Sequence, residues 1–405
     1  MRVVHINVRL SEGGAAKIML DLHQRSVAAG IESQVFYGYG TGAKPSPQEV
    51  SIAGAKHVAN RAHVMMNYVT HRLSGIEFFP PVGAKAALLS QAVLNADVVH
   101  LHAVHSYFLP FNWLSNLLLN SKKVVWTCHD YWPITGRCAF IEGCDAWKRG
   151  CGECPSGLNY PSSLLDYSSS VFKQRRGNIE RLMNRMIFVA PSNFVRDQFQ
   201  EALPNAQVYK IYNGVDAELE RAASRIVASN KSNTNGLIKI LVMASDLSDP
   251  TKTDQSLVNR MMAISGIELH TIGKNSPFQG DAIVNHGEIF QRDGLADIMQ
   301  DMDALLFTSK KDTFGLVMIE AMYCGVPVLA LPSEAANEVL ELVGQQPKDA
   351  AEILNILSNT ELRDAALMQL KERLSKSKLK IFSGQSMFDS YRRIYSHKDF
   401  GGAGE

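Results

Sequence analysis

The chain has 405 residues, which is too long for one typical domain and predicts two domains of about 180 to 200 residues each. Its 41 basic and 40 acidic side chains argue against nucleic acid as the main partner, since nucleic-acid-binding proteins usually show a strong basic bias. The sequence has no run of about 18 apolar residues, so we predict no membrane span. The six cysteines, without an export signal before them, predict reduced thiols in the cytoplasm.

The chain opens with a predicted strand over residues 3–8, a turn over 11–16 and a helix over about 17–29. The turn contains Gly13 and Gly14, which let the backbone approach a ligand closely. A strand, a double-glycine turn and a helix form the unit that opens doubly wound folds. We therefore expect a ligand at this turn, and a tight turn without a ligand is the alternative.

Residues 55–74 have the pattern of an amphipathic helix with a basic side. The predicted apolar face consists of Val58, Ala62, Met65, Met66, Val69 and Leu73. Such a face usually packs on the core, and this is the interpretation we favour. A basic amphipathic helix can also rest on an anionic membrane surface, which is the alternative.

Two predicted buried strands end in side chains that can bind sugar hydroxyls. The first ends at His102, and the second, over residues 123–127, leads into His129 and Asp130. Ligands of open α/β sheets bind beyond the carboxyl ends of the strands. We predict a substrate role for His129 and Asp130, and regard His102 as a minor candidate because a lone histidine there is usually structural.

Four cysteines follow within a predicted inserted loop over residues 136–156. They are Cys138, Cys144, Cys151 and Cys154. Four thiolates could hold a tetrahedral zinc ion, which would be structural because four protein ligands leave no open position. Only one pair has the short C-x2-C spacing, so free thiols and disulfides are the alternatives.

The second half begins after residues 217–236, which are rich in Ala, Ser and Asn and predict an exposed connector. Lys252 lies in the loop after the next predicted strand, and its point charge fits a phosphate. A solvated loop lysine is the alternative for this residue. A further strand ends at Gly273, where we predict a turn that faces the ligand.

Residues 312–331 carry the strongest functional signal of the chain. Asp312 lies in a polar loop, Gly315 precedes a predicted helix over residues 316–323, and Glu320 lies inside that helix. A loop, a glycine and a helix start direct free N–H groups at one point, where an anion can bind. Two carboxylates beside such a site would suit a nucleotide sugar. A solvated Asp312 and a salt-bridged Glu320 are the alternatives.

The sequence DTFGLVMIE from Asp312 to Glu320, with GVPV after it, resembles the EX7E signature of retaining nucleotide-sugar glycosyltransferases of family 4. Asp312 stands where that signature usually has Glu. The stretches H-D-x-W-x-x-T-G at 129–136, E-G-G-A-A at 12–16 and D-P-T-K-T at 249–253, with the four cysteines, resemble the exopolysaccharide branch and its colanic acid cluster. An arginine that the family places near residue 245 is missing.

The resemblance implies an α/β protein of the GT-B fold. In this fold two Rossmann-like domains face each other across a cleft, and a C-terminal helix crosses back to the N-terminal domain. The implied parts are an N-terminal acceptor domain over residues 1–213 with the cysteine-bearing loop 136–156, a C-terminal nucleotide-sugar domain over residues 214–383, and a crossover helix and tail over residues 384–405 that pack on the N-terminal domain.

The implied activity is retaining transfer of a hexose from a UDP- or GDP-linked sugar to an undecaprenyl-diphosphate-linked saccharide in exopolysaccharide or lipopolysaccharide biosynthesis. The resemblance also implies that the chemistry requires no cofactor. The protein would be cytoplasmic, with a peripheral contact to the inner face of the plasma membrane. A nucleotide-sugar 2-epimerase of the same fold is one alternative. A catalytically impaired sugar- or nucleotide-binding homologue, suggested by the missing arginine, is the other.

The resemblance also implies roles for particular residues. The implied catalytic residues are His129, Asp130, Asp312 and Glu320, and the implied donor-binding residues are Gly13, Gly14, Lys252, Gly273, Phe314, Gly315 and Leu316. His129 and Asp312 would hold the sugar, and Glu320 the nucleotide ribose. Lys252 and the N–H groups at residues 315–316 would stabilise the leaving diphosphate.

Overall fold

The computed structural model describes residues 1–40, 51–141, 143–154, 161–226, 237–374 and 376–397. The chain forms two compact units, the first from Met1–Ile211 with Phe388–Glu405 and the second from Tyr212–Met387. The predicted tail after residue 397 and the part of the predicted connector at 227–236 lie outside the described residues. None of the described helices is long and apolar enough to cross a membrane.

The first unit is built on a parallel sheet. Its strands are β1 Arg2–Arg9, β2 Glu32–Tyr39, β3 Ala55–His57, β4 Val98–Leu101, β5 Val124–Thr127, β6 Met186–Ala190 and β7 Gln207–Lys210. They are ordered β3-β2-β1-β4-β5-β6-β7. Every residue of β4, β5 and β6 is buried, as expected for parallel strands that are covered on both faces.

The described helices that precede β7 lie between the strands of this unit along the chain, which continues the βα pattern predicted at its start. They are α1 Gly14–Ala28, α2 Arg61–Ser74, α3 Gly83–Asn95, α4 Phe111–Leu118, α5 Ser168–Leu182 and α6 Asn193–Ala202. The core of the unit packs around Trp126 of β5, whose ring stacks on Phe188 of β6 at a centroid distance of 5.8 Å. The predicted opening strand, glycine turn and helix are confirmed by β1 and α1.

The second unit has a smaller parallel sheet. Its strands are β8 Ile238–Asp246, β9 Ile267–Lys274, β10 Ile283–Asn285, β11 Ala304–Phe307 and β12 Val328–Ala330, in the order β10-β9-β8-β11-β12. Its helices are α7 Ala217–Ile226, α8 Gln255–Met262, α9 Arg292–Gln300, α10 Leu316–Tyr323, α11 Glu334–Leu342, α12 Ala350–Ser358, α13 Thr360–Glu372 and α14 Lys376–Leu379. The predicted exposed connector is wrong over 217–226, because α7 buries Leu219, Ala222 and Ala223 at helical spacing.

The last helix, α15 Gly384–Ser396, crosses from the second unit to the first, as predicted. Within the first unit, Lys123 Nζ donates hydrogen bonds to the carbonyl oxygens of Ile394 and Tyr395 at 2.8 and 3.2 Å. Carbonyl groups in the last turn of a helix have no intrahelical partner. The buried lysine therefore satisfies them and fixes the end of α15 on the sheet.

The prediction of one helix over residues 55–74 with a buried apolar face is wrong. Residues 55–57 form the edge strand β3, and α2 buries the polar side chains of His63, Asn67 and His71 instead of the predicted apolar face. Asn67 Nδ2 donates to the carbonyl oxygen of Phe79 at 2.7 Å, and His63 Nε2 lies 3.1 Å from the carbonyl oxygen of Phe108. The helix covers irregular backbone whose polar groups need partners, and this selects its polar face for burial.

The apolar side of α2 consequently lies at the surface. Exposed fractions are 61% for Met65, 48% for Val69 and 51% for Leu73. The chain at 164–165 lies beside the end of the helix, because the N–H of Leu165 donates to the carbonyl oxygen of Leu73 at 2.9 Å. We name this region the α2 apolar surface; it consists of Met65, Met66, Val69, Leu73, Leu164 and Leu165, which are all exposed.

Candidate active site

His129 and Asp130 follow β5, at the carboxyl end of the sheet of the first unit. Asp130 Oδ2 lies 2.9 Å from His105 Nε2, and Asp130 Oδ1 accepts the N–H of Trp132 at 2.9 Å. Burial raises the pKa of Asp130, but the neighbouring His105 and the N–H of Trp132 outweigh burial and lower it below its usual value. Asp130 is therefore an ionised carboxylate with a fixed orientation.

His129 ends a chain of imidazoles that begins on β1. His5 Nδ1 lies 3.2 Å from His102 Nε2, and His102 Nδ1 lies 3.0 Å from His129 Nε2. Burial lowers the pKa of His5 to about 3 and that of His129 to about 4, so these rings are neutral. Each bond between neutral imidazoles needs one N–H and one bare nitrogen, so the tautomer of His129 depends on that of His102.

The histidines of the first unit also offer a geometric ligand set. Nitrogens of His5, His100 and His102 lie within 4.8 Å of one another. However, His100 bonds to Tyr395 and Thr127 at 2.7 Å each, and His102 bonds to His5 and His129. Since both ring nitrogens of these two residues have partners, we interpret the set as a hydrogen-bond network and not as a metal site.

In the second unit, Asp312, Lys252 and Gly315 lie together. Lys252 Nζ is 3.2 Å from Asp312 Oδ2, and both side chains are partly exposed. Asp312 Oδ1 accepts the N–H of Gly315 at 2.9 Å. Gly315 has φ 82° in the left-handed region, where glycine is favoured, and it precedes the first residue of α10, Leu316. The structure thus gives the Gly315 N–H, which we predicted as a phosphate donor, a partner in Asp312.

Phe314 contributes to the core and not to a binding surface. Its side chain is 1% exposed and packs near Tyr212 and Phe382, at centroid distances of 6.0 and 5.9 Å. Its predicted contact with the donor can therefore involve only the backbone. The phenylalanine of the motif anchors the loop, so that Asp312 and Gly315 keep their positions at the start of α10.

Glu320 lies on α10 with its carboxylate buried. Arg292 Nη2, from α9, bonds to Glu320 Oε1 at 2.5 Å and also to Asp216. Burial lowers the pKa of Arg292, but the carboxylates of Glu320 and Asp216 outweigh it and raise the pKa above its usual value. We name these three residues the Arg292 triad. Sequence reasoning missed Arg292, since one arginine at a helix start carries no distinctive signal.

Gly13 and Gly273, both predicted to bind the donor, are required by the backbone for different reasons. Gly13 has φ 90° before α1, and a Cβ added there would meet no atom within 4 Å, so Gly13 borders open space; Gly14 is exposed. Gly273 lies within β9 at φ 143°, and its Cβ would lie 1.9 Å from the carbonyl oxygen of Ala244 on β8. Close approach of two strands explains that glycine without a ligand.

The four cysteines converge although they are spread over seventeen residues of chain. Cys138, Cys144, Cys151 and Cys154 line one cavity of about 30 Å³ and are all free thiols. The N–H of Gly136 donates to Cys151 Sγ at 3.1 Å. Burial, together with the neighbouring cysteines, raises the pKa of Cys138 to about 11.

Comparison with known proteins gives two matching family models. Residues 12–219 match the model described as Glycosyltransferase Family 4, and residues 239–359 match Glycosyl transferases group 1. The chain is 35% identical to WcaC of Escherichia coli (strain K12), provisionally named as a colanic acid biosynthesis glycosyl transferase, over 98% of this chain and 100% of WcaC. It is 29% identical to the N-acetyl-alpha-D-glucosaminyl L-malate synthase of Bacillus anthracis over 26% of this chain and 29% of that protein.

Solved structures match along nearly the whole chain. Anabaena HepE in complex with UDP and glucose has a TM-score of 0.62 and 14% identity, over 98% of this chain and 99% of HepE. WaaG, a glycosyltransferase involved in lipopolysaccharide biosynthesis, has a TM-score of 0.60 and 13% identity, over 98% of this chain and 100% of WaaG. These likenesses confirm the predicted GT-B fold.

Proposed function

The chain belongs to glycosyltransferase family 4, and from this premise we propose that it transfers a hexose, with retention of configuration, from a nucleotide-diphosphate sugar to a lipid-linked oligosaccharide. The pathway we propose is the biosynthesis of an exopolysaccharide similar to colanic acid. The 35% identity with WcaC over 98% of this chain and 100% of WcaC carries this proposal. The acceptor we propose is a saccharide on undecaprenyl diphosphate.

The start of α10 supports a diphosphate leaving group. Lys252 supplies a cation beside Asp312, and the first turn of α10, from Leu316, presents backbone N–H groups at the positive end of the helix. HepE, which shares the fold, is known in complex with UDP-glucose, so uridine donors are the first to test. On donor binding, we expect Lys252 to exchange part of its contact with Asp312 for the diphosphate oxygens.

The reaction needs stabilisation of charge more than a protein nucleophile. As the sugar leaves, positive charge develops on its anomeric carbon and negative charge grows on the diphosphate. Asp312 would face the sugar, and Lys252 would stabilise the departing anion. Glu320 would bind the nucleotide ribose, with its carboxylate held in place by Arg292 at 2.5 Å.

In the first unit, His129 and Asp130 would hold hydroxyl groups of the transferred sugar. Asp130 is ionised and fixed by His105, so it offers an acceptor. His129 is neutral and its Nε2 bonds to His102, so a sugar hydroxyl would meet Nδ1, which donates or accepts according to the tautomer. The fixed protonation of both groups supports recognition of uncharged hydroxyls, for which a donor and an acceptor are both needed.

The α2 apolar surface supports a peripheral contact with a membrane that carries the lipid acceptor. Exposed large apolar side chains that lie together mark interaction sites more often than ordinary surface. Met65, Met66 and Val69 lie on one side of α2, which is the arrangement of helices that rest in a lipid interface. We therefore propose that the protein acts in the cytoplasm on the inner face of the plasma membrane.

Donor screening followed by product analysis tests the activity. UDP- and GDP-sugars are first screened for thermal stabilisation, since a ligand that binds only the folded state raises the unfolding temperature. The stabilising donor is then incubated with synthetic polyprenyl-diphosphate saccharides, and mass spectrometry and NMR identify the product. We expect one added hexose with the anomeric configuration of the donor; an inverted linkage would contradict the proposed mechanism.

The same screen separates the two alternatives. An epimerised sugar nucleotide, formed from the donor alone, would identify a nucleotide-sugar 2-epimerase. Binding of a donor without turnover, across the whole panel of acceptors, would identify an impaired binding protein.

Membrane contact is tested with vesicles that contain anionic lipids. Val69→Glu should weaken vesicle binding at least about tenfold, because a carboxylate at a lipid-facing position is costly. Met368→Glu is the matched control, since Met368 on α13 is also exposed, at 60% against 48% for Val69, but lies in the second unit. Equal vesicle binding by both variants would contradict the proposed contact.

A further inference from the structure

We propose that Cys138, Cys144, Cys151 and Cys154 bind one structural zinc ion. The four residues come from different turns of the segment after β5, and they line a single cavity of about 30 Å³. A cavity of this size has room for about one water molecule or one small ion. Convergence of all four thiols on so small a space is the observation that carries the proposal.

Hydrogen-bond donors already point at two of the sulfur atoms. The N–H of Gly136 donates to Cys151 Sγ at 3.1 Å, and Arg137 Nη2 donates to Cys154 Sγ at 2.9 Å. The Arg137 side chain is buried, and its residue is 4% exposed. N–H donors to sulfur stabilise thiolates, and partners of this kind orient and tune the ligands of a metal site.

The backbone around Cys151 has a run of positive φ angles, which is strained at its non-glycine residues. Gly150, Cys151, Gly152 and Glu153 all have positive φ, at 106°, 57°, 97° and 49°. Positive φ in a non-glycine residue is strained and persists only where the surroundings hold it. Bonds from an ion to Cys151 and Cys154 would offset this strain.

The ligand set selects zinc among the common metals. Four thiolates around a closed site fit tetrahedral zinc, and they leave no position for catalysis. An iron–sulfur cluster would bring its own iron and sulfide atoms, so metal analysis separates it from a single zinc ion. The Sγ atoms are not yet at coordination distance, since no three of them lie within 4.8 Å of one another in the described residues. Zinc would draw them together and tighten the loop.

A zinc ion here would brace the segment that carries Asp130. Arg175 Nη1 donates to the carbonyl oxygens of Trp132 and Thr135 at 2.7 and 2.5 Å, and Trp132 in turn donates its N–H to Asp130. Thr135 also donates its hydroxyl to the carbonyl oxygen of Cys138 at 2.7 Å. The cysteine loop and the candidate active site are therefore parts of one hydrogen-bonded segment.

Metal analysis of the purified full-length chain tests the site without reference to its activity. The protein is expressed with added zinc, purified with a thiol reductant and analysed by elemental mass spectrometry; we expect one zinc per chain. Cys144→Ala and Cys154→Ala should each lose the zinc. Cys324→Ala is the matched control, because Cys324 is a buried free thiol in the second unit and should keep the zinc.

Cobalt substitution supplies a second measurement that does not depend on folding of a variant. Co²⁺ added to the chelator-treated wild-type chain should give the sulfur-to-metal charge-transfer absorption of a tetrahedral thiolate site, and zinc should displace it. Wild-type protein without bound metal, or with disulfides among the four cysteines under reductant, would overturn the proposal. Bound iron in place of zinc would overturn it as well.

Discussion

Replacement of Arg292 by methionine tests the buried ion pair behind the motif helix. Arg292 Nη2 bonds to Glu320, and the side chains are 9% and 2% exposed. Methionine has similar length and is apolar, so it fills the space of the arginine stem without its charge. The variant leaves the Glu320 carboxylate buried without the Arg292 cation, and a buried charge without its partner destabilises the folded state.

The expected loss is about 3–5 kcal/mol, because removal of one partner of a buried ion pair leaves an uncompensated charge. Arg225→Met is the matched control. Arg225 Nη2 bonds to Asp293 at 2.7 Å, but the two side chains are 68% and 69% exposed, so its loss should cost about 0–1 kcal/mol. The two arginines differ in burial and in their acid partners, since Arg292 bonds to Asp216 as well as Glu320, so the difference between the variants measures the whole buried triad against an exposed pair.

Urea unfolding at pH 7 measures both variants, followed by tryptophan fluorescence and circular dichroism. With a slope of about 2 kcal/mol per molar urea, Arg292→Met should lower the midpoint of the transition of the second unit by about 2 M. Adding Glu320→Gln should recover much of the loss, since it removes the more deeply buried carboxylate charge and leaves only Asp216, whose side chain is 18% exposed. Equal midpoints for the Arg292 and Arg225 variants would refute the assignment of a buried pair.

Three further predictions concern the glycines, the motif aspartate and the histidines. Gly273→Ala should lower the free energy of unfolding by more than about 3 kcal/mol, because its Cβ would meet a backbone oxygen at 1.9 Å. Gly13→Ala should lower it by about 1 kcal/mol, from positive φ alone, and thermal unfolding checks this order. Asp312→Asn keeps an oxygen that can accept the N–H of Gly315 but removes the charge opposite Lys252. The kcat for sugar transfer should therefore fall about 100-fold with an unchanged melting temperature, and an unchanged kcat would contradict a catalytic role. Burial, with a neighbouring imidazole, lowers the pKa of His5 from 6.5 to about 3, so the free energy of unfolding decreases as pH falls below 6.5. Between pH 7 and 5 the wild type should lose about 2 kcal/mol more than His5→Gln. Equal losses would refute a neutral buried ring.

Local patterns in the sequence determined the elements that carry the motifs. The apolar run with its flanking glycines predicted α10 over residues 316–323, and the structure has Leu316–Tyr323. The same kind of reasoning predicted that His129 and Asp130 follow a buried strand, which is β5. These predictions succeeded because strand and helix periodicity, glycine turns and the position after a strand are properties of neighbouring residues.

Helix α2 shows where periodicity is insufficient. The spacing of Met65, Met66 and Val69 correctly gave one face of a helix, but the structure exposes that face and buries His63 and Asn67. Periodicity reports which residues share a face, and it does not report what lies opposite. Here the opposite surface is irregular backbone, whose carbonyl groups at Phe79 and Phe108 bond to Asn67 and His63, and apolar side chains could not make these bonds.

The sequence by itself therefore determined the two-domain α/β fold, the family and the positions of Asp312, Lys252 and His129 in the loops that follow strands. The tertiary structure alone decided that Arg292 binds Glu320 and that His102 touches His129. It also decided that the four cysteines share one cavity. Such partners are far apart in the chain, and only the packing of whole elements brings them within bonding distance.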